Sequence, residues 1–499
     1  MSRPPLHLSR RRTSRIAKAF TSAPRTAWLG QVLAAALVLA TAAIAALADS
    51  PRAPDVRDVS DRAKSSGVLA QGGDGKLLIA SGARIRHEAG SLEKLGSFFV
   101  GLGYGAEAFD SAALCVLRFS ARGALDAGFG KGGAVVTPLS PPRNRDRATV
   151  TALLQDGMGR ATVVGWRYLS TALDANVPVI TAARYTARGE LDASFGERGV
   201  VTTRVDQAAV TQALAATLDR DGRLLVAGYS GGSKLRNPRG SFDDWPIRAI
   251  LLRYTLNGEL DTSFGDGGIA SYVLEPSGQD GRQGRDFLLY DYEHIKTAGL
   301  ILDRLGRSVV AVSGGEGPAV LLRYTPEGRL DPSFGTTGVV RTPMGKGSGI
   351  STLLWDSTGR LLAVGTSADS MVIARYFADG VLDSAFGERG TRRTPIGAGM
   401  RVSAALQESD HHLLVVASGE RGVQLARYDA EGLLDRSFGS NGVIHTAPDK
   451  RLATAAGLTI DDEGVPTVAA LSEDGIFLVR FDRAGPVDLS FRSMTQARN

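Results

Sequence analysis

Arginine and aspartate stand eight residues apart seven times in this chain of 499 residues. The pairs are Arg118 and Asp126, Arg184 and Asp192, Arg253 and Asp261, Arg323 and Asp331, Arg375 and Asp383, Arg427 and Asp435, and Arg480 and Asp488. Two chemistries fit that spacing. Each guanidinium can cross the intervening turn to hold its own carboxylate, a partly buried structural pair. Seven guanidinium groups could instead ring a central site for an anion. Pairing within each unit accounts for the constant offset and is the expected reading.

The usual catalytic and metal patterns are missing from the sequence. There is no His-Glu-x-x-His run and no Gly-x-Ser-x-Gly elbow. Past residue 48 the histidines are His87, His294, His411, His412 and His445. The adjacent His411 and His412 would diverge as a chelate and read as a solvated turn. Asp219 with Asp221, and Asp461, Asp462 with Glu463, lack the spaced oxygen ligands that calcium needs and read as hairpin turns. The glycines of Gly345-Lys346-Gly347-Ser348-Gly349 do not open a helix, as a phosphate loop would. No metal, cofactor or catalytic residue is therefore expected. The single cysteine, Cys115, lies in the apolar run Ala112–Leu117 and is expected to be a buried thiol. One cysteine also suits an exported protein that does not rely on disulfides.

The pairs belong to a longer block, Arg-aromatic-x-x-x-Gly-x-Leu-Asp-x-x-Phe-Gly. It runs from Arg184 to Gly196, Arg253 to Gly265, Arg323 to Gly335, Arg375 to Gly387 and Arg427 to Gly439. Arg118 to Gly130 has Phe119 as its aromatic. Arg480 to Phe491 has Phe481, Val487 in place of Leu, and Arg492 in place of the last Gly. A fixed period implies a repeat architecture and overrides the several domains that length alone suggests.

Each unit reads as four short strands with Asp-Gly or similar turns. In the third these are Thr211–Thr217, Leu224–Gly228, Ile250–Tyr254 and Gly268–Val273. One such sheet cannot bury both faces, but seven arranged radially can. The expected fold is all-β, a seven-bladed β-propeller of four-stranded blades over residues 67–499. The aromatic and the Phe of each block would pack between blades, Gly189 would take a positive φ, and Asp192 would close an Asx turn.

This block resembles the delta-60 repeat, whose pattern is similar to Leu-Ala-Arg-Tyr, three residues, Gly-x-Leu-Asp, two residues, Phe-Gly, preceded by an Asp-Gly turn and a Val-Val-Ala-Gly strand. The resemblance covers residues from about 68 to 491. It implies a propeller-like repeat on exported bacterial proteins and implies no activity, cofactor or catalytic residue. The chain departs from the pattern at Ser409-Asp410-His411-His412, where the turn glycine is missing, and in the last copy. Six blocks lead into a fourth strand, such as Ala134–Thr137 or Gly442–His445, whereas eight residues follow Phe491. Residues 49–66 are expected to be a linker or a closing strand, with Asp55–Ser60 as the donor to the open edge.

The N-terminus carries the basicity. The sequence pI is ≈ 9.4, but Arg3, Arg10, Arg11, Arg12, Arg15, Lys18 and Arg25 lie in residues 1–48 without an acid. Set against the formal +6, the remainder carries −1. Nucleic-acid binding is therefore not expected, since phosphate affinity needs clustered cations. Residues 1–26 form a basic region, and 27–48 are either a signal-peptide core or a transmembrane anchor. Ala46-Leu47-Ala48 has the form of a signal-peptidase site, while 22 residues can span a bilayer. Polar Thr13 and Ser14 after Arg11-Arg12 argue against twin-arginine export. The expected location is the bacterial periplasm, cell surface or exterior, or the inner membrane through residues 27–48. Any membrane contact would be through that segment.

Loop lengths single out one face. From the turn glycine (His411 in blade 6) to the block Arg, blades 5, 6 and 7 give 16 residues and blade 4 gives 17. Blades 1, 2 and 3 give 43, 25 and 31. The inter-blade stretch also swells once, to 42 residues from Phe264 to Gly306 against 25 from Phe334 to Gly359. Strands alternate direction, so all four insertions emerge on one face over blades 1–4. Variable loops on a rigid scaffold are where recognition usually sits.

The candidate binding residues in these loops are Trp166, Arg167 and Tyr168; Arg236, Arg239, Phe242, Asp243, Asp244 and Trp245; and Arg282, Arg285, Asp286, Tyr290, Tyr292 and His294. Aromatics and Arg dominate interface energetics. The expected function is a non-enzymatic exported binding or scaffold propeller that takes an envelope or extracellular protein or glycan. The alternative is a cell-envelope lyase or hydrolase with its site at the channel mouth. The lack of a catalytic constellation favours the first, and fold alone does not decide.

Overall fold

Apolar runs broken by Asp-Gly turns become antiparallel hairpins, and in the computed structural model these assemble into seven sheets. The described residues are 67–71, 76–87, 109–120, 126–139, 148–169, 177–205, 210–231, 247–274, 295–314, 318–345, 348–419, 421–446, 454–460, 464–472 and 475–481. Six sheets hold four strands in chain order, and the seventh holds three among the described residues. The third unit forms Val210–Leu218, Leu224–Gly231, Arg248–Tyr254 and Ile269–Val273, close to the sequence reading.

The first strand of each blade is innermost and packs on the first strand of the next. Gly67–Gln71 packs likewise on Thr454–Ile460 of blade 7, which closes the ring. A Cβ on Gly457 would lie 2.6 Å from Leu69 Cβ, so this seam is tight. Residues 1–48 and 49–66, with their expected targeting and closing roles, lie outside the described residues.

Most inner strands carry a one-residue bulge, as at Thr151, Leu214, Ser351, Ser403 and Ala456. A bulge pushes backbone toward the second strand. That strand answers with glycine in blade 3, where a Cβ on Gly228 would lie 2.0 Å from the Gln212 carbonyl.

The core is the set of seams between blades. One cluster joins Val164, Ile180 and Phe195 of blade 2 to Ala213, Val226, Leu252 and Tyr254 of blade 3. Another joins Ile79, Cys115, Leu117 and Phe119 of blade 1 to Ala469 of blade 7. Cys115 is buried there as expected, and burial pushes its thiol up to about 11.

Connections from first to second and from third to fourth strand share one face, here the turn face. The other connections share the opposite, insertion face. Blades 5, 6 and 7 close on the insertion face with two-residue turns, the last pairs being Ser367 with Ser370, Gly419 with Gly422 and Ser472 with Gly475. In blade 1 the same ladder runs on from Leu77 opposite Phe119 to His87 opposite Phe109. In blade 2 it runs from Ala161 opposite Tyr185 to Leu169 opposite Val177. The stems of these insertions thus extend toward the insertion face.

Candidate functional site

The arginines of the block are structural. The Nε of Arg118, Arg184, Arg253, Arg323 and Arg375 donates to the carboxylate eight residues on at 2.8–2.9 Å. Each guanidinium also stacks on the Phe of its own block, 4.4–4.6 Å from the ring centroid. Its Nη1 then crosses the seam to a carbonyl in the next block: Ala187, Leu256, Pro326, Ala378 and Ala430 in turn. One side chain therefore fixes its own turn and clamps the neighbouring blade. The guanidinium groups of Arg118, Arg184, Arg253, Arg323, Arg375 and Arg427 form intrablade pairs and not a ring for an anion; Asp488, the expected partner of Arg480, lies outside the described residues.

The aspartates complete Asx turns, with Ser194 N–H 3.0 Å from Asp192 Oδ1. At Asp261 the Ser263 hydroxyl, the Ser263 amide and Arg253 hold the carboxyl below its usual range against burial. At Asp192, Asp331 and Asp435 burial pushes up, and hydrogen bonds from serine with the arginine charge outweigh it. Gly258 has φ +83°, and its Cβ would meet Phe195 of the previous blade at 3.0 Å. Position and packing both exclude a side chain there.

A second arginine in the turn network was not foreseen. In the Asp-x-x-Gly-Arg hairpins, Arg160, Arg223, Arg307 and Arg360 donate to Asp156, Asp219, Asp303 and Asp356 at 2.6–2.7 Å. Each also reaches the block Asp of its blade, at 3.2–3.7 Å. The recurring Arg after the turn glycine was the available signal. Blade 6 breaks this pattern where the sequence departs. His411 takes the glycine's place with φ 72°, and His412 takes the place of Arg. Arg427 answers by binding Glu408, Asp410 and Asp435 at 2.5–2.6 Å. A cavity of ≈ 220 Å³ lies between the turns of blades 5 and 6, lined by Arg360, Arg375, Phe386, Gln407 and His411 among others. Its arginines are already held by Asp356 and Asp383.

On the insertion face the structure corrects one expectation. Trp166, Arg167 and Tyr168 lie in the strand Ala161–Leu169 and not in a loop. The reason is the lengthened hairpin ladder, which carries these residues past the point where blade 5 turns. All three are half-buried. Trp166 and Tyr168, on the same side of the strand, meet edge to face at 5.4 Å. Arg167 Nη2 lies 3.5 Å from Thr202 Oγ1. At Trp166's place in the repeat, blades 4, 5 and 6 have Ser313, Thr366 and Ser418, whose hydroxyls accept from the next inner strand's Ile350, Val402 and Ala455 amides. Blades 2 and 3 exchange that hydroxyl for Trp166 and Tyr229 where their insertions begin. Arg236, Arg239, Phe242, Asp243, Trp245, Arg282, Arg285, Tyr290, Tyr292 and His294 lie outside the described residues. Among the described residues, no group of three or more His, Cys, Asp or Glu is placed to hold a metal ion.

Fold and seams together define a seven-bladed β-propeller of repeated blades. A family described as "Domain of unknown function (DUF5122) beta-propeller" matches residues 240–264 and 357–386. No curated protein matches the chain. Among solved structures, virginiamycin B lyase from Staphylococcus aureus is similar at 11% identity over 68% of this chain and 83% of that one, with a TM-score of 0.38. A protein of unknown function from Dyadobacter fermentans is similar at 12% identity over 71% and 90%, TM-score 0.36. A protein from Lactobacillus plantarum is similar at 13% identity over 78% and 92%, TM-score 0.40. Likeness at this level carries nothing about function.

Proposed function

We propose that this propeller is an exported, non-catalytic binding or scaffold protein of the bacterial envelope, with repeats of the delta-60 kind, and that it grips a protein or glycan through its insertion face. The observation that carries the reading is the concentration of long connections on one face of blades 1–3, whose hairpin stems are lengthened or lead into insertions, beside blades that close in two residues. Rigid seams clamped on the turn face make the scaffold, and Arg and aromatic residues in the insertions make the contact surface. The test is capture of envelope proteins and glycans by the full chain beside the combined variant Arg236→Ala, Arg239→Ala, Trp245→Ala. Loss of specific capture with unchanged melting supports the reading. Unchanged capture, or turnover of a captured glycan, overturns it.

A further inference from the structure

The third strand of blade 7, Gly475–Arg480, has no outer neighbour among the described residues, whereas that place is filled in the other six blades. An unpaired edge of this kind is a template for an extended segment. We infer that its occupant is Val56–Val59 of the chain's own N-terminal segment.

The repeat supplies the register. In blades 4, 5 and 6 the residue before the block Arg pairs with the first residue of the outer strand: Leu322 with Val339, Ala374 with Thr391, Ala426 with Val443. Applied to Arg480, this sets Val479 opposite Val56 and Phe477 opposite Asp58. The third place on the outer strand is exposed and polar in blades 2 to 6, as at Thr202, Ser271, Arg341, Arg393 and His445, and Asp58 suits it. The fourth place faces the aromatic of the next block. Where that aromatic is Tyr185, Tyr254 or Tyr376, the outer strand offers Thr137, Thr203 or Thr342, and the hydroxyls bond at 2.7–2.8 Å. Blade 7 faces Phe119, which is buried and has no hydroxyl. Blade 6 carries Thr446 at this place before another buried phenylalanine, Phe481, and Val59 is the β-branched residue of the same size.

Spacing agrees on the other side. From the fourth place to the next inner strand there are seven residues from Thr342 to Gly349 and from Thr394 to Arg401, and eight from Thr446 to Thr454. Val59 to Gly67 is also eight. The competing donor is the chain after the last block. Sixteen residues separate Arg118 from Ala134 and Arg427 from Val443, which would bring Gln496–Asn499 to this edge. That choice sets the amide of Asn499 against Phe119, a buried polar group without a partner, whereas the N-terminal donor sets Arg57 at the second place, which an arginine, Arg392, also fills in blade 5. The donor strand would run from the turn face to the insertion face. Asp55 would then start at the turn face, and Ala48 can be at most about 25 Å from it. An uncleaved apolar run would thereby hold the turn face toward the membrane and leave the insertion face pointing outward.

Opposed residues of an antiparallel pair bring their Cβ atoms within disulfide reach. The experiment uses the full chain carrying Cys115→Ala, with Asp58→Cys and Phe477→Cys added, beside a shifted pair, Asp58→Cys with Gly475→Cys, and a rival pair, Arg498→Cys with Phe477→Cys. Mass spectrometry after mild oxidation reads the links, and melting of each reduced chain, required to match the Cys115→Ala parent, confirms the fold. An intrachain disulfide in most molecules of the first pair, and few in the other two, is the expected result. A link in the rival pair, a link between two chains, or no link in any well-folded variant overturns the inference.

Discussion

Tyr254 donates its hydroxyl to Thr203 Oγ1 at 2.8 Å across the seam between blades 2 and 3. The ring of Tyr254 is fully buried, and burial pushes its phenol far up. Tyr324, one blade on, is buried in the same way but faces Tyr272 where the others have threonine, and its hydroxyl has no partner among the described residues. Tyr272 instead accepts from Arg341 Nη2 at 2.8 Å. Tyr254→Phe strands Thr203 and is expected to cost about 1–2 kcal/mol, whereas Tyr324→Phe removes an unmet hydroxyl and is expected to change stability by less than about 0.5 kcal/mol. Denaturant melts of the two variants check this contrast.

Removing one clamp is expected to loosen two blades at once. Arg253 is buried, holds Asp261, and bonds the Pro326 carbonyl of blade 4 at 2.5 Å. Arg253→Met is expected to cost about 3 kcal/mol, because it leaves a partly buried carboxylate and a carbonyl short of a donor. Hydrogen exchange should quicken in blades 3 and 4 together. Exchange confined to blade 3 would contradict a clamp across the seam.

Blade 6 is open to repair. Three carboxylates, Glu408, Asp410 and Asp435, there surround Arg427, with His412 in the place of the second arginine. His412→Arg restores the cation that Arg223 supplies in blade 3, and is expected to raise stability by up to about 1 kcal/mol. A fall in melting temperature would show that His412 serves something other than the turn.

Acid should unfold the ring through the block aspartates. Asp192, Asp261, Asp331 and Asp435 are held below their usual 3.8 in the folded chain. A depressed folded pKa stabilises fully above the unfolded value and is lost as pH falls through the folded one. Stability from these groups is therefore expected to hold above about pH 5 and to fall below about pH 4. Asp261→Asn should shrink that acid slope in melts taken between the two.

The blades were legible because each is written seven times: Arg, Asp and Gly at constant offsets report a turn that must repeat its geometry. The aromatic, the Phe and the Asx turns followed from the same block. The arginine after the hairpin glycine was equally periodic, but its second contact depends on two turns meeting in space, which spacing along the chain does not display. Trp166, Arg167 and Tyr168 were misplaced into a loop because counting residues between turn and block does not show how far a hairpin ladder extends. The Trp-for-serine exchange becomes visible only once the seams align the second strands.

The most direct test of recognition by the insertion face compares the full chain with a variant trimmed within 229–249 and 272–296 to the lengths of the short blades, both offered the same envelope extract. A partner held by the full chain is expected to be lost on trimming while circular dichroism and melting stay unchanged. Retention of that partner by the well-folded trimmed chain would contradict it and move the search to the turn face.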